Sequence, residues 1–467
     1  MAADYKSLHE AFVSNHEGTS LVEIACVVST APLGVLLRSC LIGVFCSFRF
    51  SIDFCTLILP VFLCFTVLAD HAFAVCVSMA LLSASLLATL TQSKHSAPTT
   101  HDYLCTSSSG KNSFISHFRA YVNVAAAISI LAVDFSIFPR RFCKAETFGT
   151  GLMDIGVGAF VVANGMVAPE ARGKWPSSST LYQKSHLVLQ SVISTLPLWL
   201  LGFARLLVTK SVDYHEHVSE YGVHWNFFFT LAIVKIFSTI ILCIVSPKLS
   251  WLLALLLGTG YQYMLTKQGL QDVILHGMNG TDSRHGIFDA NREGIFSSFG
   301  YLAIYFASVQ LGKFFLFKRT KLKQWIVVLC VLIAADVCFW ILLHFTQIHV
   351  DPVSRRIANL PYVIWMMAYN LQLLPCFLLV DLLISALIHR GVLPYSNSDE
   401  HCLLEAMNRN GLFYFLLVNL LTGLINMSMS TLFATSLQAV MVMLAYLVLL
   451  SVVTVTLHSK RIYLKVW

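Results

Sequence analysis

The 467-residue chain is 57% hydrophobic and 12% charged, with a mean hydropathy of +0.73 and a formal net charge of +7. Soluble domains carry about 25% charged residues, so roughly half the usual solvating charge is missing and the chain needs lipid around it. A soluble globular fold is excluded, no nucleic-acid partner is expected, and the composition predicts an all-α, polytopic transmembrane bundle forming one membrane-embedded domain over 1–467.

The first 20 residues are polar and contain no apolar h-region, so the first apolar stretch is expected to act as an uncleaved insertion signal. A helix needs about 20 apolar residues to span the hydrocarbon core, and about thirteen candidate spans follow on that basis. They lie near 21–45, 54–69, 72–90, 119–134, 150–168, 187–209, 227–246, 251–265, 294–316, 325–346, 361–387, 411–427 and 435–457. Asp70 and His71 alone separate the second and third, which predicts a tight hairpin; a Ser/Thr-rich polar loop occupies 91–118. Most of the 13 cysteines fall in apolar runs without CxxC or Cys/His spacing, and read as small membrane-core residues rather than metal ligands.

An odd number of spans puts the termini on opposite sides. Lys and Arg number about 18 in the loops on the C-terminal side and about 10 on the other, which predicts a cytosolic C-terminus and a lumenal N-terminus. The loops of the N-terminal side hold five dense polar strings: FVSNHEG (12–18), VDFSIFPRRFCKAETFGTG (133–151), YHEHVSEYGVHWNFF (214–228), DANREG (289–294) and SRRIANL (354–360). Their concentration on one face suggests an assembled site, against the plainer reading of ordinary solvated connections. Asn279 opens a glycosylation sequon in the loop that carries DANREG; the sequon at Asn426 lies too near a span to be informative.

Ionisable groups inside a span cost at least ~2.5–3.5 kcal/mol on insertion scales. Arg38, Lys235, Asp336 and Asp381 lie deep and read as structural pairs between helices, while Glu23 and Arg205 sit near predicted span ends. Asp134 and Asp154 flank the basic loop 135–149. Pro139 stops the preceding helix, after which Arg140, Arg141 and Lys144 cluster close to the membrane surface. Guanidinium groups grip phosphate bidentately and an ammonium is a compact point charge, so the cluster suits an anionic lipid head group. Asp134, at the apolar edge, suits a general base; Asp154 is either part of the site or a salt-bridge partner of Lys144, Arg140 or Arg141. In the third string, His224 precedes the aromatic run from Trp225 and Asn226 into Phe227 and is open as a base, a substrate contact or an interface residue. His215 and His217 do not form HExxH, and Walker A, GxSxG and DHHC patterns are absent from the sequence.

The strings AFVSNHEGTSLVEI (11–24), AVDFSIFPRRFCKAETFGTGLMDIGVGAF (132–160), SVDYHEHVSEYGVHWNFFFT (211–230), DANREGIFSSFGYLAIY (289–305) and SRRIANLPYVIW (354–365) resemble those of the PIG-W/Gwt family, the inositol acyltransferases of GPI-anchor biosynthesis. The likeness extends over nearly the whole chain, including LLVNLLTGLINMSMSTL (416–432), with conservative departures at Ser136, Ile137 and Cys143. The resemblance implies a multi-pass enzyme of the endoplasmic reticulum membrane. Such an enzyme transfers a fatty acyl chain, usually palmitoyl, from acyl-CoA to the inositol 2-hydroxyl of glucosaminyl-phosphatidylinositol, with no permanently bound cofactor. The family's catalytic Asp and Lys fall on Asp134 and Lys144. On that basis Arg140 and Arg141 are expected to contact phosphates, and Asp154, His224, Trp225, Asn226, Asn291, Arg292, Glu293, Arg355 and Arg356 to line the substrate site. A lipid transporter or scramblase, or a non-catalytic subunit of the same pathway, is the alternative.

Overall fold

The computed structural model describes residues 12, 14, 16–45, 48–92, 112–176, 180–211, 218–278, 280, 282, 284–319, 321–393 and 402–464. Regular structure among them is helical, with one isolated parallel bridge between Gly18 and Thr150. Twelve principal helices run in chain order: α1 (Leu21–Val44), α2 (Ala72–Gln92), α3 (Ser113–Ala132), α4 (Ile155–Gly165), α5 (Leu181–Ser211), α6 (Phe227–Ile244), α7 (Ser250–Lys267), α8 (Arg292–Leu316), α9 (Leu322–His349), α10 (Leu360–His389), α11 (Gly411–Ser428) and α12 (Ser436–Ser459).

Ten helices among the described residues are long and apolar enough to cross a membrane. The other three expected spans fold as helix but depart from a plain spanning segment, each for a visible reason. The 54–69 region belongs to a helix interrupted by a π turn at Phe54–Ile58, followed by Leu59–Phe65. Helix α4 has 11 residues, or about 16 Å at 1.5 Å per residue, roughly half the hydrocarbon thickness. The second half of α7 turns polar, and its Gln262 and Tyr261 bind the backbone of the 354–360 loop region, at Leu360 N (2.9 Å) and Ile357 O (2.8 Å).

Helices α1, α3, α8 and α10 form the middle of the bundle, where Phe118, Phe306, Tyr362 and Trp365 are fully buried. Helices α2, α5 and α9 lie at its perimeter and direct residues such as Leu81, Leu200 and Ile341 outward. Lipid tails are as apolar as leucine, so cohesion between helices comes from close packing and polar contacts rather than water exclusion. Between α4 and α8 the approach is tight: a Cβ on Gly165 would lie 1.9 Å from Ser308 Oγ.

Three of the four deep charges are held between elements, as the structural reading expected, whereas Asp336 on α9 has a buried Oδ1 without a hydrogen-bond partner among the described residues. Arg38 Nε bonds Asp53 Oδ1 at 2.7 Å, and Asp53 also accepts from Leu403 N at 2.8 Å. Lys235 lies 3.7 Å from Glu170, which also accepts from the Tyr305 hydroxyl. Asp381 accepts from the Ser113 hydroxyl.

Candidate active site

The 133–151 string begins where α3 ends. Asp134, 2% exposed, accepts a hydrogen bond from Asn426 Nδ2 at 2.7 Å. After Pro139 the chain turns, and Arg140 donates to the carbonyls of Val133 (3.0 Å), Phe135 (3.0 Å) and Phe138 (2.8 Å), while its guanidinium lies 3.9 Å from the centre of the Phe12 ring. Val133 caps α3 and the other two carbonyls follow it, so Arg140 gathers the turn that leaves the helix. Its guanidinium is thereby engaged with the main chain of its own turn. Arg141 bonds Glu23 at 2.9 Å and Asp70, so it ties the 54–92 hairpin to the start of α1.

Lys144 meets a carboxylate that the sequence did not single out. Its Nζ donates to both oxygens of Glu220, at 2.8 and 2.7 Å. Arg355 bridges the same Glu220 (3.3 Å) to Asp154 (2.8 Å). Asp154 is thus paired with Arg355, rather than with the Lys144, Arg140 or Arg141 anticipated from sequence proximity. Its second oxygen accepts from the backbone of Ala145 (3.0 Å) and Gly151 (2.8 Å), which closes the loop between them. Burial pushes the Glu220 carboxyl up, but Lys144 and Arg355 outweigh it and hold its pKa at about 2. Burial also raises the Cys143 thiol, which feels Arg140 and Lys144 in one direction and Asp154 and Asp134 in the other.

The remaining strings dock on this loop. Thr19 N donates to Thr150 O (2.7 Å) and Glu146 N to His16 O (3.0 Å), which joins the first string to the second. Gly149 has φ +134, donates to Val353 O (2.9 Å), and has room for no Cβ, since one would sit 1.9 Å from Glu17 O. Ser354 donates to Thr147 O, and Asn359 organises its own loop by accepting from Ser354 N (3.1 Å) and Tyr362 N (3.1 Å), the latter a helix cap. All five polar strings are therefore in contact, directly or through a neighbour.

The third and fourth strings interlock through backbone. His224 N donates to Asn291 Oδ1 (2.8 Å) and Val223 N to Ala290 O (2.8 Å), while Asn291 Nδ2 reaches Ile287 O (2.7 Å). Asn226 caps α6 by accepting from Phe228 N (3.0 Å) and Phe229 N (3.3 Å), and Trp225 Nε1 donates to Thr230 (3.0 Å). Asn226, Asn291 and Trp225, expected to touch substrate, thus each make a contact that holds the loops in place.

Beyond this network lies a cavity of about 450 Å³ lined by Thr147, Phe148, Leu275, His276, Asp282, Arg284, Arg292 and Arg356. Glu293, fully buried, accepts from Arg284 (2.7 and 3.0 Å) and Arg356 (3.1 Å). Arg292, 1% exposed, is held by Ile274 O (2.9 Å) and Asp289 (3.1 Å). Sequence reasoning missed Glu220, Arg284 and the role of Asn426. Glu220 stands inside the quoted third string, and that position was the signal available. His215, His217 and Asn279 lie outside the described residues.

The GWT1 family model matches residues 5–457. The chain is 38% identical to the human protein named glucosaminyl-phosphatidylinositol-acyltransferase PIGW, with 95% of each chain covered, and 36% identical to its Bos taurus counterpart, with 99% of each covered. It is 34% identical to GPI-anchored wall transfer protein 1 of Gibberella zeae, again over 99% of both chains. With a family model matched across almost its whole length and such relatives covered from end to end, the chain belongs to the GWT1 family.

Proposed function

We propose that this chain is an inositol acyltransferase of GPI-anchor biosynthesis. It moves a fatty acyl group, usually palmitoyl, from acyl-CoA to the inositol 2-hydroxyl of glucosaminyl-phosphatidylinositol. The observation that carries the proposal is the joining of five polar strings, with Lys144 at the junction of the second and third, in a chain similar from end to end to proteins bearing that acyltransferase name.

The reaction needs a hydroxyl made nucleophilic and a thioester oxygen stabilised as it gains negative charge. Asp134, oriented by Asn426, takes the inositol hydroxyl proton as its oxygen bonds to the acyl carbon. The carbon–sulfur bond then breaks and coenzyme A leaves as the thiol or thiolate. Lys144 is fixed by Glu220 but still 37% exposed, so its ammonium is available to the developing oxyanion. Arg355 holds Glu220 against Asp154 and so fixes Lys144 indirectly. Both substrates are amphiphiles, and a site at the membrane boundary holds their polar heads and apolar tails together. The setting is the endoplasmic reticulum membrane.

Incubating the purified chain with acyl-CoA and glucosaminyl-phosphatidylinositol tests the reading. Acylated inositol lipid detected by mass spectrometry supports it; a scramblase or non-catalytic subunit yields none.

A further inference from the structure

We propose that the α6–α7 and α8–α9 turns together form a docking surface for the head groups of anionic phospholipids, at the end of the bundle away from Lys144. Helix α8 starts at Arg292, inside the fourth polar string, and its 25 residues carry the chain about 37 Å from there. The segment at its far end reads KFFLFKRTKLK (313–323), with five cations in eleven residues. Lys313 Nζ donates to Pro247 O, which sets the α6–α7 turn beside this segment and adds Lys248 to it. The two stretches that meet here, 221–271 and 294–335, contain no Asp or Glu. Lys248, Lys318, Lys321 and Lys323 are exposed, and among the described residues none of them has a carboxylate partner. The carboxylate that Lys313 feels, Glu170, is fully buried and already engaged by Lys235 and the Tyr305 hydroxyl. The positive charge of the two turns is therefore in surplus.

Local folding does not account for these lysines. Lys321 is the N-terminal cap of α9 and Lys323 lies in its first turn, where the helix dipole disfavours positive charge. An anion from outside the chain removes that penalty. Arg319 shapes the turn between the helices. Its guanidinium donates to Phe314 O (2.7 Å) and Phe317 O (3.2 Å) and lies 4.8, 5.5 and 5.5 Å from the centres of the Phe314, Phe317 and Trp325 rings. Phe317 is 69% exposed beside the exposed Lys318, so an apolar ring and a cation are presented together, as at a head-group layer. Orientation in the membrane is served by cations anywhere in the short loops of one side. It does not require them to gather where two turns touch. The α8–α9 turn joins two helices long and apolar enough to cross a membrane, so its lysines stand at the level of lipid phosphates. A lysine near an anionic leaflet is attracted to it, over a range set by the Debye length. The surface stands apart from the acyltransferase reading and holds with or without it.

The test is lipid titration of the purified full chain in an uncharged detergent, with individual lipid-bound states resolved by native mass spectrometry. Phosphatidylserine should bind more tightly than phosphatidylcholine, and the preference should weaken in high salt. A lysine near the surface is worth roughly fivefold, so combining Lys318→Gln, Lys321→Gln and Lys323→Gln should weaken phosphatidylserine by about tenfold or more. The corresponding triple change to Arg keeps the charge and should keep the preference. Lys460→Gln with Arg461→Gln removes two cations that follow α12 and should have little effect. Glycerophosphoserine, the same head group without tails, should compete only far above the lipid's own concentration. Melting in detergent confirms that each variant is folded. The proposal is overturned by equal binding of the two lipids to wild type, or by unchanged binding in the folded Gln triple. It is overturned equally by a loss as large in the Lys460/Arg461 variant, which would make the effect one of net charge, or by glycerophosphoserine competing as well as the lipid.

Discussion

Lys144 Nζ bonds both carboxylate oxygens of Glu220, at 2.8 and 2.7 Å, and this two-point contact joins the 133–151 and 214–228 strings. Because Arg355 bonds the same carboxylate, Glu220→Gln leaves two cations facing each other without their shared anion. Breaking a buried pair costs ~3–5 kcal/mol, and the partial exposure of Lys144 reduces this to roughly 2–3 kcal/mol. Thermal melting in detergent measures the loss. Lys144→Met combined with Glu220→Gln should cost less than the sum of the two single changes.

The same carboxylate sets a pH dependence. Its pKa in the folded chain is about 2, below its ordinary 4.5, so its contribution to stability is complete above pH 4.5 and is lost as pH falls from there toward 2. Melting temperature recorded across that window should fall more steeply for wild type than for Glu220→Gln. Equal slopes would remove Glu220 as the source.

Gly222 has φ +108, and a Cβ there would lie 2.6 Å from Ala290 O. Gly222→Ala therefore combines backbone strain with a clash at the junction of two strings, at a cost of about 1–3 kcal/mol or more. The junction carries His224 and Asn291, so activity should fall together with stability; normal melting and normal turnover together would contradict the interlock.

Asn226 separates a helix cap from a substrate contact. As a cap that also donates to Gly202 O, Asn226→Ala should cost about 1 kcal/mol of stability or more, while Asn226→Ser, which keeps the accepting oxygen, should restore part of it. A large rise in the apparent KM for either substrate, with melting unchanged, would instead make it a substrate contact.

Much of this arrangement was legible in the chain. Hydropathy located the helices, and the density of polar residues marked the strings that meet. The spans that departed from expectation did so through features that a count of apolar residues does not resolve: the π turn at Phe54–Ile58, the shortness of α4 and the polar second half of α7. At the site, residue type pointed to Asp134 and Lys144, but partners were hidden because they come from distant segments. Glu220 and Asn426 look like any polar residue at a span end until folding places them beside Lys144 and Asp134. The partners of Arg140 were hidden too, because they are backbone carbonyls, which leave no mark on the pattern of side chains.

The central claim is that Asp134 removes the inositol hydroxyl proton. A positioned general base is worth ~10²–10⁴ in rate, so Asp134→Asn should cut turnover by about that factor. The amide is nearly isosteric and retains an oxygen to accept from Asn426, so melting should change little. The decisive measurement is the initial rate of inositol acylation by purified wild-type and Asp134→Asn protein, with acyl-CoA and glucosaminyl-phosphatidylinositol both saturating. A loss of at least a hundredfold in a folded variant is the predicted result; turnover within a few-fold of wild type would contradict the account.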